Sequence, residues 1–147
     1  MAPLDLQAPR SSVWLVAVKV LIVDDQPAFR LAAREVIAAT EGFEVAGEAE
    51  GGEESVVAAR RLHPDLVLMD VQMPGVDGME ASRRIRSEHS DVVVFLLSTY
   101  DREDFASGIA VSGAEAFIPK AAFGPESLSD SWKAARGKDT LSPPSNQ

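Results

Sequence analysis

Leu66-Val67-Leu68-Met69-Asp70 decides the fold, and Lys19-Val20-Leu21-Ile22-Val23-Asp24-Asp25 repeats its pattern forty-five residues upstream. Each run is apolar at consecutive positions and ends on acid. A strand with one wet face alternates apolar and polar side chains. A continuous run therefore marks a strand covered on both faces, as in a parallel sheet between two helical layers. Similar runs stand at residues 45–49, 92–97 and 116–118. Between them lie stripes at helical spacing. These are Phe29, Ala32, Ala33, Val36 and Ile37, then Val56, Val57, Ala59, Arg60 and Leu62, then Met79, Ala81, Ser82 and Ile85. Phe105, Ile109 and Val111 form a thin fourth stripe over 102–112, and Leu128, Trp132 and Ala135 a fifth. Gly42, Gly75, Gly78 and Gly113 fall where a helix or turn stops or starts.

Five strands alternating with five helices predict an α/β chain: a flavodoxin-like, three-layer (βα)5 doubly wound parallel sheet with right-handed crossovers and strand order 2-1-3-4-5. The chain of 147 residues is expected to form one domain over 18–137, after an N-terminal extension (1–17) and before a flexible tail or truncated linker (138–147). The apolar stretch 13–18 is too short to span a bilayer, so no membrane segment and a cytoplasmic location are expected. A net charge of −9 argues against nucleic-acid contact. Without cysteine, disulfides and thiolate metal sites are excluded. His63 and His89 have no partner at ligand spacing and are read as solvated.

In the predicted strand order the first and third strands are neighbours at the switch point, so Asp24, Asp25 and Asp70 converge in one crevice. Asp25 has an ordinary alternative role as a helix cap before Pro27. Three carboxylates at strand ends repel one another unless a cation joins them. A few carboxylates, waters and a phosphate form the usual surroundings of Mg²⁺. Ser98 ends the fourth strand, where its hydroxyl either meets a phosphoryl oxygen or caps the next helix. Lys120 follows the fifth strand; it either faces the acidic crevice or is solvated. Phe117, on that strand, is by default core or half-exposed sheet surface.

Four stretches resemble the receiver domain of bacterial two-component response regulators: 20–25, Asp70-Val71-Gln72-Met73-Pro74-Gly75-Val76-Asp77-Gly78, Leu97-Ser98, and 113–120. The resemblance covers roughly residues 18–137. It implies that Asp70 takes a phosphoryl group from a sensor histidine kinase or phosphotransfer protein. It further implies that Asp24, Asp25 and Asp70, with the Gln72 backbone carbonyl, hold Mg²⁺. Ser98 would be the switching hydroxyl, Phe117 the switching aromatic and Lys120 the phosphoryl contact. The domain would then be a signalling phosphoacceptor rather than an enzyme acting on a separate substrate. The stretch from Asp70 and the polar tail look most like LuxR-type transcriptional regulators, whose DNA-binding module is not among these residues.

This chain departs from the family pattern in having Ala121 after Lys120 and Pro119 before it. A cis bond before alanine costs about 2.5–4 kcal/mol, so a trans bond is expected there. Other phosphate-handling classes fit worse. A haloacid-dehalogenase-type phosphatase wants an acid where Gln72 stands, and no Gly-x-x-x-x-Gly-Lys loop is present. The alternative is a receiver-like interaction module that acts without phosphorylation. For output, Ser98 is expected to move toward the phosphoryl group and Phe117 to fill its space. The face of helix 4, strand 5 and helix 5 would thereby be remodelled for homodimerisation or partner docking.

Overall fold

The computed structural model describes residues 16–141, with side chains through 137. The expected N-terminal extension up to residue 15 and the tail from residue 142 lie outside the described residues. Strands β1 (Val18–Val23), β2 (Phe43–Ala49), β3 (Leu66–Asp70), β4 (Val93–Ser98) and β5 (Ala116–Pro119) alternate with helices α1 (Pro27–Ala38), α2 (Gly52–Leu62), α3 (Gly78–Glu88), α4 (Ala106–Ser112) and α5 (Pro125–Leu141). All strand pairs are parallel and their order is β2-β1-β3-β4-β5, as the sequence predicts.

The continuous apolar runs serve two cores at once. Leu21, Val23, Val67, Met69, Val94 and Leu96 face one layer, where they meet Val56 and Ala59 of α2 and Ala81 and Ile85 of α3. Their neighbours Val20, Ile22, Leu66, Leu68, Phe95 and Leu97 face the other, against Ala33 and Ile37 of α1 and Leu128 of α5. The two-residue period of the pleat sorts one run into two packed faces, and this anchors the strand ends.

Three helical expectations need correction. The segment 102–112 is not one helix: a 3-10 turn (Arg102–Phe105) precedes a short α4. A reciprocal cap between Asp101 and Asp104 fixes that turn. Val111 and Val57 point outward, 67% and 56% exposed, so they do not belong to the packed stripes. Instead, Ser55, Val56, Ala58 and Ala59 are buried on α2, and Phe105 and Ile109 carry the fourth stripe. Helix α5 continues through Gly137 to Leu141, past the boundary read at residue 137. Glycine in a helix interior costs only about 1 kcal/mol and does not by itself stop the helix.

Gly108 of α4 lies against Met79 of α3. A Cβ there would lie 2.4 Å from the Met79 sulfur, so a larger residue would have to displace the flexible end of that side chain. His63 and His89 cap the C-terminal ends of α2 and α3, with rings edge-to-face at 6.2 Å. His63 is exposed, but His89 is half-buried rather than solvated. No described helix is long and apolar enough to cross a membrane.

Candidate functional site

Strand register builds the site. Val23 stands opposite Met69, so the next residues on each chain, Asp24 and Asp70, emerge side by side. Asp70 in turn pairs with Leu97, which sets Ser98 one step beyond, and Ser98 pairs with Pro119, which brings Lys120 to the same rim. The chain turns away at each of these points. Gly78 permits the tightest approach: a Cβ would lie 1.9 Å from the Asp70 carbonyl oxygen, so only glycine lets α3 start there. Its N–H donates to the Val71 carbonyl at 2.8 Å.

Asp24, Asp25 and Asp70 each offer an oxygen, and these lie within 4.8 Å of one another. Among the described residues they are the only group of three His, Cys, Asp or Glu side chains so arranged. Asp24 is 1% exposed, Asp70 is buried and Asp25 is exposed. Lys120 Nζ lies 2.7 Å from Asp24 Oδ2 and 3.4 Å from Asp70 Oδ1. That facing position, rather than solvation, is where the structure puts Lys120. Asp24 Oδ1 accepts from the Gln26 N–H at 2.8 Å, whereas the buried Oδ2 receives no directed hydrogen bond beyond the charge contact with Lys120. An all-oxygen donor set of three clustered carboxylates, two of them buried, fits a hard divalent cation such as Mg²⁺.

Burial, reinforced by the negative charge of Asp24, pushes the Asp70 carboxyl up to about 6; Lys120 opposes the rise. Gln72, Ser98, Thr99, Tyr100, Gln26, Asp70 and Lys120 line a crevice of about 150 Å³. Ser98 Oγ accepts from the Tyr100 N–H at 2.8 Å, so it caps its own loop rather than the following helix. Phe117 is half-buried, its ring 6.5 Å from Phe105, which in turn meets Tyr100 edge-on at 6.3 Å. Asp25 does not cap α1: Gln26 holds that position. Among the described residues all peptide bonds are trans, including Lys120-Ala121.

The sequence reading missed two residues of α1. Arg30 donates to the Asp24 carbonyl at 2.7 Å and is itself held by Glu48 at 3.1 Å, so it pins the turn that carries the aspartates. Phe29, assigned to a core stripe, also lies beneath Lys120 Nζ, 4.4 Å from its ring centroid. The only local signal was their place in the first turn after Asp24-Asp25-Gln26-Pro27.

Comparison with known proteins gives a consistent result. The family model for the response regulator receiver domain matches residues 20–132. The chain is 39% identical over 105 residues to the response regulator GacA of Pseudomonas syringae pv. syringae, covering 71% of this chain and 49% of that protein. It thus spans about half the length of such relatives. The signal receiver domain of the putative response regulator NarL from Mycobacterium tuberculosis superposes with a TM-score of 0.75 at 28% identity, covering 83% of this chain and 98% of that one. The CheX-CheY-BeF3-Mg²⁺ complex from Borrelia burgdorferi contains a chain matching at TM-score 0.70 and 26% identity, over 82% and 90% of the two chains.

Proposed function

We propose, from the premise that the chain belongs to the response regulator receiver domain family of two-component systems, that Asp70 accepts a phosphoryl group in an Mg²⁺-dependent reaction and so switches an interaction surface. The observation that carries this reading is the convergence of three aspartate oxygens and the Lys120 ammonium on one sheet edge. The donor is a sensor histidine kinase or phosphotransfer protein. The receiver unit is taken as residues 18–137, with the phosphorylated chain working inside the cytoplasm.

The Asp70 carboxylate forms the new P–O bond as the P–N bond to the donor imidazole breaks, its electron pair leaving with the ring nitrogen. Lys120 stabilises negative charge on the transferred group, and the Ser98 hydroxyl proton, which its bond to Tyr100 leaves unused, donates to a phosphoryl oxygen. Asp24, Asp25, Asp70 and the Gln72 carbonyl would hold Mg²⁺, which when bound supplies charge neutralisation between carboxylates and phosphoryl oxygens. Receivers of this family carry signals; the domain itself has no separate substrate in this reading. Incubation with acetyl phosphate and Mg²⁺, followed by intact-mass analysis, tests the proposal. One added phosphoryl group that EDTA abolishes is expected, and no adduct would refute it.

Two further outcomes follow from the geometry. Asp25→Asn is expected to weaken Mg²⁺ binding by at least about tenfold, read by calorimetry. Because Asp25 is exposed, the same substitution should raise the metal-free melting temperature less than Asp70→Asn does. Ser98→Ala is expected to leave Asp70 labelling measurable but to uncouple it from any change in association. The readout is amide NMR on adding BeF₃⁻ and Mg²⁺. In wild type the shifts should spread through residues 99–118, by way of the Ser98–Tyr100 bond and the Tyr100, Phe105 and Phe117 rings. In the variant they should stay near Asp24, Asp70 and Lys120. Silence of 99–118 in wild type would sink the switch through helix 4 and strand 5.

A further inference from the structure

Lys120 comes from a loop with little means of holding it. Pro119 and Ala121 beside it are exposed, and residues 120–122 form only a short 3-10 turn. Yet its side chain is 11% exposed and its ammonium sits between two carboxylates and one aromatic face. Asp24 and Asp70 oxygens lie 2.7 and 3.4 Å from Nζ, and the Phe29 ring centroid lies 4.4 Å from it. At that distance a cation is attracted by the negative face of the ring, the more so when water is largely excluded.

The ring is unusually well placed. Phe29 lies in the first turn of α1, and its N–H donates to the Gln26 carbonyl at 3.1 Å. Gln26 in turn donates its own N–H to Asp24 Oδ1, and Arg30 donates to the Asp24 carbonyl. The turn that presents the aspartates therefore presents the ring as well. Phe123 meets Phe29 at 6.2 Å between ring centroids, with the rings tilted at 45°.

We infer that Phe29 is a positioning residue for Lys120: its face keeps the ammonium aimed into the crevice. This rests on the proposed function, and the reason is competition. A divalent cation and a phosphoryl group would draw on the Asp24 and Asp70 oxygens that now hold Lys120. The phenyl ring binds neither of them, so its hold on the ammonium persists when the carboxylates are engaged elsewhere. A purely packing role for Phe29 would be met by any apolar side chain; a cation-holding role requires an aromatic face.

The test compares wild type with Phe29→Tyr, Phe29→Leu and Phe123→Leu. Labelling rates against acetyl phosphate concentration are measured together with the NMR shifts of the Lys120 ε-methylene. Protons above an aromatic face are shifted upfield by the ring current. Wild type and Phe29→Tyr should show that upfield shift and label at similar rates. Phe29→Leu should lose the shift and label about 2- to 30-fold more slowly. Phe123→Leu, which removes packing but leaves the Phe29 face, should keep both the shift and the rate. Equal slowing in Phe29→Leu and Phe123→Leu, or an unshifted Lys120 ε-methylene in wild type, would overturn the inference. A wild type that shows the shift but accepts no phosphoryl group would refute the proposed function and leave Lys120 held by Phe29 as a structural contact.

Discussion

Asp70→Asn should stabilise the metal-free protein at pH 7 and flatten its stability against pH. The Asp70 carboxyl titrates at about 6 in the fold, against 3.8 as its ordinary value. Below the lower value both folded and unfolded chains carry the proton, and the group contributes no difference. Between the two values the folded chain retains a proton that the unfolded chain has lost, so stability falls as pH rises. Above about 6 both are ionised and the full penalty stands. At 1.36 kcal/mol per unit its ceiling is about 3 kcal/mol, and solvent screening at the open rim of the crevice makes it smaller. Asparagine keeps the shape without the charge, so its melting temperature at pH 7 should exceed that of wild type by on the order of 5 °C. The two curves should converge near pH 4. Adding Mg²⁺ should raise the wild-type value and largely spare the variant. A variant less stable at pH 7, or one that keeps the wild-type slope, would show that Asp70 is not a strained buried charge.

Phosphoryl acceptance should respond to the same substitutions in the opposite sense. Asp70→Asn removes the nucleophile, so labelling by acetyl phosphate should disappear altogether. Lys120→Ala keeps the nucleophile but takes away the ammonium 3.4 Å from it. Loss of one preorganised charge of this kind slows a reaction by roughly 10²- to 10³-fold. Asp24→Asn should be comparably slow and should require much higher Mg²⁺, because its buried carboxylate is the innermost oxygen of the cluster. Circular dichroism on each variant separates these losses from unfolding. Asp70→Asn should therefore be both more stable without metal and inert toward acetyl phosphate.

The layers and strand order were legible because residues 20–23 and 66–69 are apolar without interruption, which only a doubly covered strand requires. The core site was legible for a related reason. Once β1 and β3 are neighbours, Asp24 and Asp70 must share a rim, because the parallel register leaves them nowhere else to go. Ser98 and Lys120 each kept an ordinary alternative in the sequence, and only the register across β4 and β5 shows that both reach the rim. What stayed hidden depends on side-chain reach between distant segments. Phe29 looks like any residue of a helical stripe until the path of Lys120 is known. Arg30 looks like a surface charge until Glu48 of the edge strand closes on it. The breaking of 102–112 into a 3-10 turn and α4 turned on the reciprocal Asp101–Asp104 cap. Such a cap competes locally with helix propensity and is invisible to a search for apolar periodicity.

The most direct test of the central claim locates the phosphoryl group. An acyl phosphate on a carboxylate is reduced by borohydride to the alcohol, which converts a phosphorylated aspartate to homoserine; a phosphoserine or phosphohistidine gives no such product. Wild-type protein incubated with acetyl phosphate and Mg²⁺, reduced, digested and sequenced by mass spectrometry should yield homoserine at position 70. EDTA should abolish it. Homoserine at Asp24 or Asp25, label that survives in Asp70→Asn, or reduction products that do not depend on Mg²⁺ would contradict the account.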